Sequence, residues 1–85
     1  MIIGYKIKLE TIEKVKKFSS IIDTFENEID LISNRYIVNA KSIMGVFSLD
    51  LTQSLNVIIH DATMKDVARL QEAMEEFRVD EDENN

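Results

Sequence analysis

Val38-Asn39-Ala40-Lys41-Ser42-Ile43-Met44-Gly45-Val46-Phe47-Ser48-Leu49 decides the reading of this chain. It opens on a strand former, and its apolar residues Ile43, Met44, Val46, Phe47 and Leu49 then suggest a short helix. Asn39 or Ser42 could supply the cap, since either side chain can accept a hydrogen bond from a free N–H of the first turn. Gly45 weakens such a helix by about 1 kcal/mol relative to alanine.

Upstream, Tyr5-Lys6-Ile7-Lys8-Leu9 alternates apolar and charged residues, as a half-buried strand does. From Thr11 the period changes. Ile12, Val15, Ser19, Ile22 and Phe25 follow helical spacing, with Phe18 and Ile21 beside them and Lys14, Lys16 and Lys17 on the outer side. Thr11 suits the N-cap, and Glu13 suits the positive end of the helix. Glu28-Ile29-Asp30-Leu31-Ile32 alternates again and Tyr36-Ile37-Val38 is rich in strand formers, so Ser33-Asn34-Arg35 reads as a hairpin turn. Arg35 suits a tight primed turn poorly, and a looser turn is expected.

Downstream, Thr52-Gln53-Ser54 breaks the helical pattern, and Leu55-Asn56-Val57-Ile58-Ile59-His60 reads as a strand with Leu55, Val57 and Ile59 on one face. Asp61 or Thr63 caps a last helix whose stripe is Val67, Leu70, Met74 and Phe77, with Met64 at its start. The order is β-α-β-β-α-β-α. Four strands in one mainly antiparallel sheet, with the helices covering one face, make an α+β two-layer sandwich.

Composition bounds the chemistry. The chain has 85 residues, which leaves room for one domain when a domain takes about 150. Residues 1–79 are read as that domain and 80–85 as a solvated, disordered acidic tail. Net charge is −6; residues 75–85 hold six acids and one base, which leaves −1 on the rest. No basic stripe is present to displace counterions from phosphates, so nucleic acid is not an expected partner. No stretch approaches the about 18 apolar residues of a membrane span. The absence of cysteine removes disulfides, thiolate nucleophiles and cysteine zinc sites, and fits a cytoplasmic home. A single histidine, His60, excludes metal sites that need two imidazoles. No metal, cofactor or catalytic residue is expected.

The Val38–Leu49 run resembles the HPr family, the small phosphocarriers of the bacterial sugar phosphotransferase system. That family carries a very similar V-N-x-K-S-I-M-G-x-x-S-L segment at its regulatory serine, and the element order agrees with its fold. Weaker resemblance runs from Tyr5 to Phe77, with Glu10-Thr11 similar to the end of the family's first strand and Ile29-Asp30-Leu31 similar to its second. The resemblance implies an HPr-like two-layer sandwich. It also implies a phosphorylatable serine at Ser42 and a docking surface at Lys41, Ile43, Met44 and Phe47. Ser42 has a plainer reading as the helix cap, Lys41 as a solvated cation, and the three apolar residues as partly core. The expected partners are proteins: an HPr kinase-like enzyme, other phosphotransferase components or a transcription regulator.

One departure governs the functional expectation. In HPr a G-x-H-A-R-P loop follows the first strand, and its histidine accepts the phosphoryl group. Here Glu10-Thr11-Ile12-Glu13-Lys14-Val15-Lys16-Lys17-Phe18 contains no His, Arg, Pro or Gly, and is shorter than the family's spacing. Phosphohistidine transfer needs an imidazole nucleophile near a helix N-terminus. His60 instead ends the last strand, with its side chain expected on the solvent side or the open face of the sheet. The chain is therefore expected to be a regulatory, protein-binding relative switched at Ser42. The alternative is a working phosphocarrier that relays the phosphoryl group from enzyme I through a displaced nucleophile.

Overall fold

A computed structural model describes residues 3–79; the acidic end at 80–85 lies outside the described residues. The elements are β1 (Ile3–Ile7), α1 (Ile12–Ile22), β2 (Ile29–Ser33), β3 (Tyr36–Asn39), α2 (Ile43–Phe47), β4 (Leu55–Ile59) and α3 (Met64–Met74), followed by a 3-10 turn at Glu75–Phe77. The four strands form one sheet in the order β1-β4-β2-β3, and every neighbouring pair is antiparallel.

Strand alternation sorts the side chains. Ile7, Leu55, Val57, Ile59, Ile29 and Leu31 point to one face and are buried. Val15, Phe18 and Ile22 of α1, Val46 of α2 and Leu70 and Met74 of α3 close over them in one core. Phe18 meets Phe77 edge-on, with ring centroids 6.0 Å apart at 82°, a favoured geometry for aromatic quadrupoles. The other face, with Lys6, Asp30, Ile32, Ile37, Asn56 and Ile58, is the open one. This is the expected α+β two-layer sandwich.

Local details differ from the sequence reading. β1 ends at Ile7 rather than Leu9; Leu9 is nevertheless fully buried, so the apolar alternation outlasts the strand pairing. The β2–β3 connection is a tight two-residue turn, because Ser33 pairs directly with Tyr36. Only Asn34 takes a positive φ, 53°. Asparagine tolerates that region, and Arg35 is spared it, which removes the objection to a tight turn. The helix expected across Asn39–Leu49 is confined to Ile43–Phe47. Thr63, not Asp61, caps α3. Its hydroxyl accepts from Asp66 N, while the Asp66 carboxylate accepts from Thr63 N in a reciprocal capping box. Asp61 instead has φ 51°. Phe77 packs from the 3-10 turn rather than from α3. Ile12 and Met64, placed with apolar stripes by spacing, are 62% and 78% exposed. Each is the first residue of its helix, beyond the reach of the sheet.

The two sheet edges are unlike. Lys8 N donates to Phe77 O (2.9 Å) and Val79 N to Lys6 O (3.1 Å), with Ile7 and Arg78 bridged. The chain after α3 therefore covers the outer side of β1. β3 forms the other edge.

Candidate functional site

The turn between β3 and α2 is built from its own side chains. The Asn39 Oδ1 accepts from Lys41 N (2.8 Å), and Asn39 O accepts from Ser42 N (3.0 Å). This is the local bonding by which asparagine substitutes for a backbone turn. Ser42 then enters in extended geometry, φ −95° and ψ 105°. Its Oγ accepts from Gly45 N at 3.2 Å, which makes Ser42 the N-cap and Asn39 the turn-former. Val46 N closes the first helical turn on Ser42 O at 3.0 Å. At the other end Ser48 Oγ donates to Gly45 O (2.6 Å). A side chain at Gly45 would place its Cβ 3.3 Å from Ser42 Oγ and 3.4 Å from Val38 Cβ. Glycine thus permits close contact among the cap, α2 and β3.

α2 is held to the core by Val46, with Ala40 and Leu49 buried on either side. Its remaining apolar residues face outward: Met44 is 79% exposed, and Ile43 and Phe47 are each 42% exposed. Lys41 is half-buried, and its Nζ donates to Phe25 O at 2.6 Å, which ties the turn to the chain leaving α1. Lys41 therefore has a structural bond rather than a purely solvated head. Ser42 is exposed. Beyond α2, Thr52 donates to the Asp50 carboxylate through its hydroxyl (2.6 Å) and its N–H (3.0 Å), and these bonds hold the Asp50 pKa below the usual carboxylate range.

The structure leaves Ser42, Ile43, Met44 and Phe47 exposed along α2 and its cap, and ties Lys41 to Phe25 O. It places His60 elsewhere. α1 begins directly after residues 8–10, capped by Thr11, whose side chain accepts from Lys14 N at 3.1 Å. His60 follows β4 at the opposite end of the sheet, because Ile59 pairs with Ile3 at the start of β1. The His60 Nε2 lies 2.8 Å from Asp30 Oδ2 on the open face. Its backbone is fixed as well: His60 N donates to Glu28 O (2.9 Å), and Asn27 Nδ2 donates to His60 O (3.0 Å).

Around that corner an open hollow is lined by Thr24, Asn27, His60, Asp61, Asp66 and Arg69, among others. Several of its polar groups are used internally. Asn27 also reaches Asp61 O and Asp66 Oδ2, both at 3.3 Å, and Arg69 bonds Thr24 and stacks 4.1 Å above the Phe25 ring. Among the described residues, no group of three His, Cys, Asp or Glu side chains is arranged to hold a metal ion, and no helix is long and apolar enough to cross a membrane.

Comparison of this architecture with solved structures gives clear neighbours, two of which illustrate the likeness. HPr-C-His from Thermoanaerobacter tengcongensis superposes with a TM-score of 0.69 and 23% identity, over 88% of this chain and 91% of that one. The phosphocarrier protein HPr from Bacillus anthracis superposes with the same TM-score and 16% identity, over 91% of this chain and 98% of that one. The fold is HPr-like. No protein-family model matches the sequence, and no curated protein matches it. At these identities the likeness is one of architecture.

Ile12 belongs with the exposed apolar residues of the molecule, not with its core. Helical spacing alone could not show this, because the first residue of a helix shares the period of the buried stripe whether or not anything lies opposite it.

Proposed function

We propose that this chain is a phosphotransferase-system-related, cytoplasmic protein that works by binding other proteins through α2, with Ser42 as its modification site and no phosphohistidine step. The observation that carries the reading is α2 itself, where an exposed serine at the cap is followed by Ile43, Met44 and Phe47, all of them exposed. Methionine adapts its shape to different partners, and a phenylalanine beside it adds apolar area that a partner can cover. A phosphate on Ser42 would put roughly two negative charges onto this apolar surface. Partner choice would then change without any change of fold.

The loss of phosphohistidine transfer is supported at the start of α1. A threonine caps that helix, the first turn carries Glu13, and the chain's single imidazole sits at the far end of the sheet in contact with Asp30.

Two labelling reactions test the reading. With HPr kinase and ATP, Ser42 is expected to accept phosphate and Ser42→Ala to accept none. With enzyme I and phosphoenolpyruvate, no acid-labile phosphate is expected on the chain. Acid-labile label would overturn the non-carrier reading in favour of a displaced nucleophile. Failure of Ser42 to label, together with no effect of Ser42→Asp on any partner's affinity, would remove the switch.

A further inference from the structure

We propose that the free edge of β3 is a second docking site, which takes an extended segment bearing acidic side chains as an added strand. This proposal does not depend on α2 docking. Its starting point is the backbone of Ile37 and Asn39. In an antiparallel sheet each residue spends its N–H and C=O on one neighbour only, in alternation. His60 N bonds Glu28 O and Ala40 N bonds Ile29 O. In the observed registers Asp30 and Ile32 therefore bond β4, while Ile29 and Leu31 bond β3. It follows that Tyr36 and Val38 complete the β2–β3 ladder, and that Ile37 and Asn39 aim their backbone groups out of the sheet. Asn39 O is taken by Ser42 N. Ile37 N–H, Ile37 C=O and Asn39 N–H are left to an incoming strand.

The edge strand, though short, lacks two of the features by which sheets usually block such pairing. Tyr36-Ile37-Val38-Asn39 contains no charge and no proline. Tyr36 and Ile37 are 66% and 65% exposed. The opposite edge, along β1, is covered by the chain's own residues 77–79. The molecule closes one edge and leaves the other available.

Charge selects the occupant. The chain's net charge is −6, yet from Leu31 to Leu49 it contains no acid and two bases, Arg35 and Lys41. These bases stand just beyond either end of β3. Arg35 is exposed. An extended segment with a carboxylate near one end would meet the exposed Arg35, while Lys41 at the other end keeps its Nζ on Phe25 O. A second copy of this chain fits less well. Its own edge strand, Tyr36–Asn39, brings no carboxylate to meet the exposed Arg35 in either antiparallel register.

The test is a fluorescence-anisotropy titration of the full chain with a labelled peptide of alternating valine and glutamate, read alongside amide shifts in NMR spectra. Saturable binding is expected, with the largest shifts at the Ile37 and Asn39 amides and affinity falling as salt is raised. Arg35→Glu, at an exposed position outside the core, is expected to weaken binding about tenfold. The same peptide N-methylated at alternate residues is expected not to bind, since it cannot complete the ladder. Absence of saturable binding, equal binding of the N-methylated peptide, or equal binding of a valine–serine peptide would each overturn the proposal. So would a concentration-dependent dimer that pairs through β3 and is not competed by the acidic peptide, which would assign the edge to a second copy instead.

Discussion

Ser42 caps α2 through the same oxygen that the proposed modification would take. Its Oγ accepts from Gly45 N as the N-cap of α2, and it is also the atom a kinase would modify. Ser42→Ala is expected to cost about 0.5–2 kcal/mol, read as a shift in the urea midpoint, because the Gly45 N–H loses its partner. An unchanged midpoint would show that the cap is dispensable. Asp66 gives a pH-dependent test. The N–H of Thr63 donates to its carboxylate (3.0 Å) and, with further bonds, holds its pKa below the usual range. A depressed folded-state value means that the charged form favours folding. That contribution is complete above the unfolded carboxylate's value of about 3.9 and is lost as pH falls through the lower folded value. Asp66→Asn should therefore lower Tm at neutral pH, with the gap to the parent chain narrowing on acidification. A gap independent of pH would argue that the carboxylate's charge has no part in the cap. Both caps stand where a threonine or serine precedes a helix, so they could be read as candidates; the choices of Ser42 over Asn39 and Thr63 over Asp61 could not. That choice depends on which residue takes extended geometry, and Asn39 and Asp61 were claimed by turns instead.

At the scale of elements, the β2–β3 hairpin rests on one left-handed residue. Asn34→Val would force a β-branched side chain to the positive φ of 53° and is expected to cost about 1–2 kcal/mol, while Asn34→Gly should be close to neutral. Thermal denaturation of the pair checks this, and equal behaviour of the two would remove the turn's conformational demand. α1 and the closing 3-10 turn meet through Phe18 and Phe77. Phe18→Ala is expected to destabilise by about 3–5 kcal/mol in urea unfolding, since a fully buried aromatic leaves a cavity the core only partly refills. A loss below 1 kcal/mol would mean that α1 is not part of the cooperative core. The helical and strand periods of these elements were plain in the sequence, because burial on one side imposes them. Helix ends were less so. Ile12 and Met64 keep the period of their stripes yet lie in solvent, since the sheet does not extend beneath them.

For the whole molecule, the open sheet face, the uncovered β3 edge and the outward side of α2 are three surfaces the core does not need. Met44→Lys is therefore expected to leave Tm within about 0.5 kcal/mol equivalent of the parent while abolishing binding of any partner that covers α2. A large fall in Tm would show that Met44 supports the fold instead. Val46→Ala, at the buried position of the same helix, should do the reverse and lower stability by more than the exposed change. The contrast separates the side of α2 that holds the sandwich together from the exposed side proposed for partners.

The sequence by itself determined the element order and the inward-facing residues of the alternating strands β1, β2 and β4, because periodicity is a local consequence of side-chain chemistry. It also determined that no imidazole stands before the first helix. Tertiary structure decided the strand order β1-β4-β2-β3, the covering of β1 by residues 77–79 and the baring of β3. It also decided the pairing of His60 with Asp30, 30 residues away along the chain. These features depend on which segments lie beside one another in space, and a local pattern of apolar and polar residues specifies which side of an element is buried without naming the neighbour that buries it.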